Sequence, residues 1–359
     1  MSDRITNSDF YFAVACFIQG SVLLSAYGLE QTRQDTWITA VSGFVISLFV
    51  VLLYSSLASR HRGRGLYDIL PNVFGNTAGK ILTALYLLVF LAIATFDLRD
   101  TGDFSIVYIM PEMSLFVMIG IFTLLCFFAV QSGIHNLLRY GFLLFFVTAV
   151  VILINTLLLL DRIQLPNFLP MFTLTPADYL HGTHFSLSVS FCEIIVFMTI
   201  IPFLSEPGKI KKGYIIGTIL GFTTFITIIL CEIAVLGSVA YILTSPYYET
   251  IRLINTFDVL TRLETLFAFM LIVMKFFKIS LLYYAVSFGI SKLLNIKMNI
   301  WTNLITGVAL ITLTMRVVDS GTELRNLGTT AYPYILSFFE IIVPLAALLL
   351  TFIKKRQHQ

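Results

Sequence analysis

An apolar run near the start of the chain, FYFAVACFIQGSVLLSAYG at residues 10–28, decides the fold class. It is close to the about 20 residues that a helix needs to cross a bilayer. No small-x-small cleavage pattern follows it, so we expect it to remain as the first membrane helix. The composition agrees, because 58% of the 359 residues are hydrophobic and only 12% are charged, against about 45–50% and about 25% in soluble domains. The chain is predicted to be an integral membrane protein.

Runs of similar length follow along the whole chain, separated by glycine, proline and charged residues. Lipid offers no partner for an unpaired backbone group, so each run is expected to form a helix. The predicted spans are about 9–28, 37–58, 80–97, 114–131, 138–160, 184–204, 214–243, 265–291, 300–316 and 333–353. We therefore expect one all-α integral membrane domain over residues 1–359, with ten transmembrane helices and no separate soluble domain.

The distribution of basic residues predicts the orientation. With the N-terminus inside, fourteen of the 23 Lys and Arg residues fall on the inner side, seven on the outer side and two within a span. Cytoplasmic loops carry the excess of Lys and Arg in membrane proteins. We therefore expect both termini in the cytoplasm. The longest outer loop, about 244–264, has the mixed polarity of a short helix on the outer surface, and Tyr247 and Tyr248 are expected in the interfacial aromatic belt.

Two predicted spans carry polar residues at their middle. Span 1 contains Gln19-Gly20-Ser21, and span 6 contains SLSVSFCE at residues 186–193. Span 1 opens the first five helices and span 6 opens the second five, and two groups of five have opposite topologies. Paired interruptions in corresponding spans indicate an inverted-repeat transporter fold with a site near the bilayer midplane.

Three ionisable residues, Glu193, Lys275 and Lys278, fall near the bilayer centre. Each costs at least about 2.5–3.5 kcal/mol on insertion scales and normally faces a partner inside the bundle. The two lysines are three residues apart and share a helix face. We hypothesise that Glu193 approaches one of them beside a substrate cavity; a purely structural ion pair is the equal alternative. Two close lysines repel, so one is expected to be neutral or bound to backbone carbonyls.

Other residues indicate packing rather than chemistry. Glu232 near the outer end of span 7 and Glu340 within span 10 are interpreted as packing or cavity-rim residues. The four cysteines lie inside apolar runs, unlike a disulfide framework. The five histidines show no metal-ligand spacing and are interpreted as surface residues. A net charge of +3 does not indicate a nucleic-acid partner, and no G-x-x-x-x-G-K-[ST] sequence occurs. We expect no catalytic residue, metal or cofactor.

Four stretches together carry a family resemblance. They are Gly20-Ser21-Val22-Leu23-Leu24, Gln34-Asp35-Thr36-Trp37-Ile38, Phe191-Cys192-Glu193 with Pro202, and the outer segment from Pro246 to Glu264, which contains Arg252, Leu253, Ile254, Phe257, Arg262 and Glu264. On these residues, nearly the whole chain resembles the B subunit of bacterial spore nutrient-germinant receptors. These form the spore permease branch of the amino acid–polyamine–organocation superfamily.

The resemblance implies a leucine-transporter-like 5+5 inverted repeat with broken first and sixth helices. It implies an amino acid or similar small germinant bound between spans 1, 3, 6 and 8. It also implies the inner spore membrane as location, and a larger A subunit and a lipoprotein C subunit as partners.

The resemblance further implies the binding residues. Backbone groups of the unwound first span, matched here by Gln19, Gly20 and Ser21, hold the ligand carboxylate in the superfamily, and the aromatic residue matched by Phe191 packs over the ligand. Ser190 stands where a glycine is frequent, and Gly20 stands alone where two glycines are frequent. Both departures reduce backbone freedom, which argues against a full transport cycle more than against binding.

The expected function is therefore a germinant-receptor B subunit that binds a small germinant and signals to its partners. The alternative is a functional amino acid permease, either uncoupled or coupled to protons through Glu193 or a lysine. A channel or a structural subunit is the third alternative, because a fold does not fix a function.

Overall fold

The computed structural model describes residues 4–61, 63–254, 263–316 and 321–357, and these are almost entirely helical. The helices are α1 (Asn7–Gln19), α2 (Ser25–Thr32), α3 (Thr36–Arg60), α4 (Leu66–Phe74), α5 (Asn76–Tyr108), α6 (Leu115–Gln131), α7 (Ile134–Leu158), α8 (Pro176–Phe185), α9 (Ile210–Leu236), α10 (Pro246–Arg252), α11 (Leu263–Leu294), α12 (Ile300–Arg316), α13 (Gly321–Thr329), α14 (Ala331–Ser337) and α15 (Val343–Gln357). Within the described ranges, the β-structure is one isolated bridge between Ile5 and Leu204.

Among the described residues, seven helical segments are long and apolar enough to cross a membrane. Two shorter apolar helices, α6 and α12, add to them. The predicted all-helical membrane fold is therefore confirmed, and every predicted apolar run coincides with one or more helical segments. The division into ten crossings stays a prediction. Several helices extend beyond the predicted runs, most clearly α5, which continues to Tyr108 although its run was predicted to end at residue 97.

The first predicted interruption is a break between α1 and α2. The α-helix ends at Gln19, and the amide of Ser21 then donates to the carbonyl of Ile18 at 2.9 Å. A 3₁₀ turn at Val22–Leu24 follows before α2 begins at Ser25. The tighter winding of 3₁₀ structure redirects the chain and leaves side chains of the break facing the bundle interior.

The second interruption is longer and is entirely buried. Thr175 and Asp178 form a capping box that starts α8. The chain then winds as a π-helix over Ser186–Phe191 and as a 3₁₀-helix over Cys192–Thr199. Backbone carbonyls released by this change of winding need other donors, and the Tyr54 hydroxyl donates to the carbonyl of Cys192 at 3.2 Å.

A third interruption, absent from the sequence prediction, divides the last predicted span. A π-helix at Phe338–Ile342 separates α14 from α15. Tyrosine hydroxyls supply donors there: Tyr54 donates to the carbonyl of Glu340 at 2.8 Å and Tyr86 to that of Phe339 at 2.5 Å. The broken segments of the second half therefore rest on tyrosines of α3 and α5.

Helices α1 and α9 approach closely along a glycine seam, which we define as Gly213, Gly217 and Gly221 of α9 with the α1 residues that they face. Methyl carbons built on these glycines would lie 2.6–2.7 Å from atoms of α1. The facing residues are Phe10, Tyr11, Val14 and Ile18. Glycines four residues apart share one helix face, so their missing side chains let the two backbones pack together.

The outer segment differs from the prediction. A short helix, α10, is present, but the Tyr247 and Tyr248 side chains are buried rather than placed in an interfacial belt. Their rings pack against Phe267 and Phe104, respectively. Residues 255–262, which include Phe257 and Arg262 of the predicted family-specific stretch, lie outside the described residues.

Candidate ligand-binding site

A cluster of five ionisable residues lies inside the bundle, and we call it the charged seam. Helix α5 contributes Asp97 and Asp100, α11 contributes Lys275 and Lys278, and the second interruption contributes Glu193. The side-chain exposure is 0–4% for four of them and 18% for Asp100. Charges this deeply buried need partners, because the desolvation cost of each is several kcal/mol.

The two lysines are held by carboxylates. The Lys275 ammonium lies 2.5 Å from Asp97 and 3.4 Å from Asp100. The Lys278 ammonium lies 3.0 Å from the other Asp97 oxygen and 2.7 Å from Glu193. Asp97 therefore stands between the two lysines and offsets their repulsion. The expected bond from a lysine to backbone carbonyls is replaced by these ion pairs.

The structure brings Glu193 and Lys278 together, whereas Lys275 pairs with aspartates. The Lys278 ammonium also donates to the hydroxyl of Ser21 at 2.9 Å, inside the first interruption. Gly20 makes this approach feasible, since a methyl carbon there would lie 3.0 Å from the Lys278 side chain. One ammonium thus contacts both broken segments and α5. Its role in coupling stays a prediction.

Asp97 and Asp100 were missed by the sequence reasoning. The apolar run ends at residue 97, so these aspartates resemble the start of a loop. One signal was present: the aspartates are three residues apart, like the two lysines, and residues at this spacing share a helix face. The helix face with the two aspartates and the helix face with the two lysines match in spacing and carry opposite charges, which indicates that they pair.

A small cavity lies against the charged seam, and we call it the central cavity. Its volume is about 20 Å³, room for about one water molecule. Carboxylates and aromatic rings dominate its wall. The lining residues are Tyr27, Ile93, Phe96, Asp97, Asp100, Phe185, Val189, Glu193, Gly328 and Tyr332.

None of the five predicted ligand-binding residues is in the described lining of the central cavity. The Gln19 side-chain oxygen accepts a hydrogen bond from Thr148 at 2.8 Å. Gly20 and Ser21 contact Lys278, as described above. Ser190 is buried, and its hydroxyl has no hydrogen-bond partner among the described residues. Their role in ligand binding stays a prediction.

Phe191, predicted to pack over the ligand, lies in an aromatic cluster. Its ring packs against Phe44, Phe222 and Phe225 at centroid distances of 5.6–6.1 Å. The π-helical winding of Ser186–Phe191 sets this direction, because a wider turn changes which residues share a face. Val189 is the residue of this segment that reaches the cavity wall.

Two further buried carboxylates occupy separate places. Glu340 accepts a hydrogen bond from Ser188 at 2.9 Å. Glu232 accepts one from Ser25 at 2.8 Å and lines a second cavity of about 10 Å³ beside Tyr247. Within the described ranges, no group of three or more His, Cys, Asp or Glu side chains is arranged to hold a metal ion.

Comparisons with known proteins identify the family. A family model described as spore germination protein, the spore permeases, matches residues 4–319. The chain is 27% identical to spore germination protein KB of Bacillus subtilis, over 99% of this chain and 96% of that protein. It is 25% identical to the putative spore germination protein YfkT of the same organism, over 73% and 72% of the two chains. The chain belongs to the spore germination protein family.

Solved structures identify the fold. The chain is similar to the nucleobase-cation-symport-1 family transporter Mhp1 in a closed conformation, with a TM-score of 0.67, 13% identity and coverage of 96% and 78% of the two chains. It is also similar to MhsT in complex with L-phenylalanine, with a TM-score of 0.57, 11% identity and coverage of 92% and 97%. At these identities the likeness shows the fold alone, and the fold is leucine-transporter-like.

Proposed function

We propose that this chain is the ligand-binding B subunit of a nutrient germinant receptor in the inner spore membrane, with both termini cytoplasmic. The ligand is a small germinant, an amino acid in our proposal, and it binds in the central cavity near the bilayer midplane. Binding is passed to a larger A subunit and a lipoprotein C subunit. Family membership supports the role in germination, and the complex of MhsT with L-phenylalanine supports the class of ligand.

The observation that carries the proposal is the position of Lys278. Its ammonium contacts Ser21 in the first interruption, Glu193 in the second and Asp97 on α5. A molecule that enters the adjacent cavity changes the electrostatic environment and the packing of these contacts. A ligand shifts a conformational equilibrium by its difference in affinity for the two states. A ligand beside the Lys278 contacts would have different affinities for the states in which those contacts are made or broken.

The size of the cavity supports coupling between binding and conformation. About 20 Å³ holds about one water molecule, which is less than an amino acid needs. Binding therefore requires the wall formed by α2, α5 and the segment Ser186–Phe191 to move apart. This opening is the conformational change that we propose partner subunits sense.

The test is a binding screen of the full-length protein in detergent against amino acids, nucleosides and sugars, read as thermal stabilisation. A ligand at 100 times its Kd stabilises the folded state by about 2.7 kcal/mol. We expect an amino acid to stabilise the protein, and Val189→Leu, which narrows the cavity, to weaken that effect at least tenfold. Val117→Leu on the exposed face of α6 is the matched control. The proposal is wrong if no compound stabilises the protein at millimolar concentration.

A working amino acid permease, proton-coupled or uncoupled, is the second candidate. The fold favours it, because Mhp1, which shares this fold, is a transporter. Liposomes containing this chain alone distinguish the two functions. Accumulation of labelled amino acid without A and C subunits favours the permease, whereas saturable binding without uptake favours the receptor.

A further inference from the structure

The charged seam has more carboxylates than ammonium groups. With all five groups ionised, its three carboxylates and two ammonium groups leave one formal negative charge in excess. The neighbouring Arg99 and Asp103, 3.1 Å apart, add a neutral pair. A residual charge inside a membrane protein is costly, so a cation or a proton that joins the cluster stabilises the folded protein.

The excess charge faces the central cavity. Asp97, Asp100 and Glu193 all line it, whereas Lys275 and Lys278 are absent from the described lining. Asp97 Oδ2 and Glu193 Oε2 are buried and pair with the Lys278 ammonium at 3.0 Å and 2.7 Å. A carboxylate oxygen has two lone pairs, so each can accept a further hydrogen bond from a donor that enters the cavity.

The remaining wall suits an organic cation. Tyr27 stacks with Phe185 at a centroid distance of 6.4 Å, and Phe96 stacks with Tyr332 at 4.4 Å. Aromatic faces attract ammonium groups and do so more strongly in desolvated sites. The same faces offer contact area to an apolar ligand body, and the Tyr27 ring already carries the Arg325 guanidinium 5.3 Å from its centroid.

We propose that the central cavity recognises its ligand through an ammonium group, which the carboxylates of Asp97, Asp100 and Glu193 neutralise, and that the ligand carboxylate is dispensable. This inference rests on the proposed function, since it concerns the same cavity. The class of ligand is a primary amine with a small apolar body. Amino acids belong to this class by their ammonium group.

The test uses matched triads on the full-length protein in detergent. Each triad is an amino acid, its decarboxylated amine and its deaminated acid: L-alanine, ethylamine and propionate; L-valine, isobutylamine and isovalerate; L-phenylalanine, phenethylamine and 3-phenylpropionate. For any amino acid that stabilises the protein, we expect the amine to bind within about tenfold of its affinity and the acid at least about 100-fold more weakly, a difference of about 2.7 kcal/mol at 1.36 kcal/mol per tenfold.

The outcomes separate the two proposals. An amine that binds no better than the matching acid, while the amino acid binds, overturns this inference and leaves the proposed function intact. That result is also expected if a proton, rather than a ligand, neutralises the charged seam. Failure of every amino acid and amine to bind overturns both proposals.

A variant that removes one carboxylate from the cavity lining tests whether the ammonium group binds there. Asp100→Asn is the mildest change, because Asp100 is the most exposed member and its lysine contact is the longest, at 3.4 Å. It brings the formal charge of the cluster to zero, so we expect at least a tenfold loss of amine affinity and no loss of Tm in the free protein. Asp103→Asn, one turn along α5 and outside the cavity lining, is the control and should keep amine binding. Equal losses in the two variants contradict the proposal.

Discussion

Two contacts between helices of this protein are built in opposite ways. The glycine seam joins α1 to α9 by removing side chains, and methyl carbons on its glycines would lie 2.6–2.7 Å from α1 atoms. The charged seam joins α5 to α11 and to Glu193 by ion pairs of 2.5–3.4 Å. The glycine seam is closely packed, since α1 residues occupy the space beside the glycines of α9. The charged seam has a cavity beside it and one negative charge in excess.

The difference assigns separate roles to the two seams. Close van der Waals packing has one good arrangement, so the glycine seam is suited to hold α1 against α9 as a fixed unit. Ion pairs tolerate small changes of distance, and their balance shifts when a charged ligand enters. Helix α1 belongs to the first seam through Val14 and is followed at Gly20 and Ser21 by the contacts with Lys278. The Lys278 ammonium also lies 5.2 Å from the centroid of the Phe17 ring on α1, so α1 borders both seams.

The largest effect is expected from breaking the charged seam. Lys278→Met leaves Glu193 without its ammonium partner, and removal of one partner of a buried pair costs about 3–5 kcal/mol. Lys275→Met should cost less, because Asp97 keeps Lys278 at 3.0 Å. Thermal unfolding in a fixed detergent measures both.

A double variant tests the cause of that loss. Glu193→Gln in the Lys278→Met background removes the stranded charge, so part of the lost stability should return. If the double variant is less stable than Lys278→Met alone, the ion pair is not the source of the effect. Equal losses for the two lysine variants would show that Asp97, rather than Glu193, dominates the charged seam.

A smaller effect is expected from filling the glycine seam. Gly217→Ala places a methyl group 2.6 Å from the Tyr11 carbonyl oxygen, a backbone atom of α1. Overpacking of this kind costs about 1–3 kcal/mol. Gly120→Ala is the matched control, because nothing lies within 4 Å of that position on α6. Equal unfolding temperatures for the two variants would mean that the α1–α9 contact is looser than a steric fit.

The glycine variant also tests the assigned roles. If α1 and α9 form a fixed unit apart from the site, a folded Gly217→Ala protein should bind ligand with near-normal affinity. The Asp100→Asn protein should show the reverse pattern, with normal stability and weakened amine binding. A variant of the glycine seam that loses binding in proportion to stability would remove the distinction between the seams.

The smallest effect concerns pH and lies outside both seams. Burial, together with the nearby Arg64 guanidinium, lowers the pKa of His61 below its ordinary value, and its ring lies 3.0 Å from the Thr351 hydroxyl. The unfolded chain thus binds a proton more readily, so stability should fall as pH drops through about 6.5. Because His61 is half-exposed, the loss should stay below about 1 kcal/mol.

The His61→Gln variant separates this titration from the charged seam. It should flatten the change of Tm between about pH 7 and pH 5.5, on either side of the ordinary histidine pKa. If the full decrease persists in the variant, His61 is not the titrating group.

Much of the fold was predictable because lipid imposes a simple rule on the sequence. A long run of apolar residues must form a helix, and polar residues inside it mark a break, as at Gln19-Gly20-Ser21 and at Ser186–Glu193. The π-helix at Phe338–Ile342 escaped prediction, since its sequence, FFEII, is apolar apart from Glu340. Its carbonyls are satisfied by Tyr54 and Tyr86, which lie more than 250 residues away in the chain.

The site was predictable only in part, for a related reason. Glu193, Lys275 and Lys278 stood out because they are charged within apolar runs. Asp97 and Asp100 did not, because they follow the end of such a run, although α5 carries them into the interior. The role of Phe191 over a ligand stays a prediction, and only the structure shows that its ring packs with three other phenylalanines.

The sequence by itself determined that this protein lies in a membrane, that it is helical, and that its first and sixth apolar runs are interrupted. Those properties depend on the transfer of residues from water to lipid, which is local and additive along the chain. Only the tertiary structure decided which carboxylate meets which lysine and which side chains face the central cavity. Those properties depend on distances between helices far apart in sequence. The energetic effect of a buried charge depends on the partner that folding brings next to it.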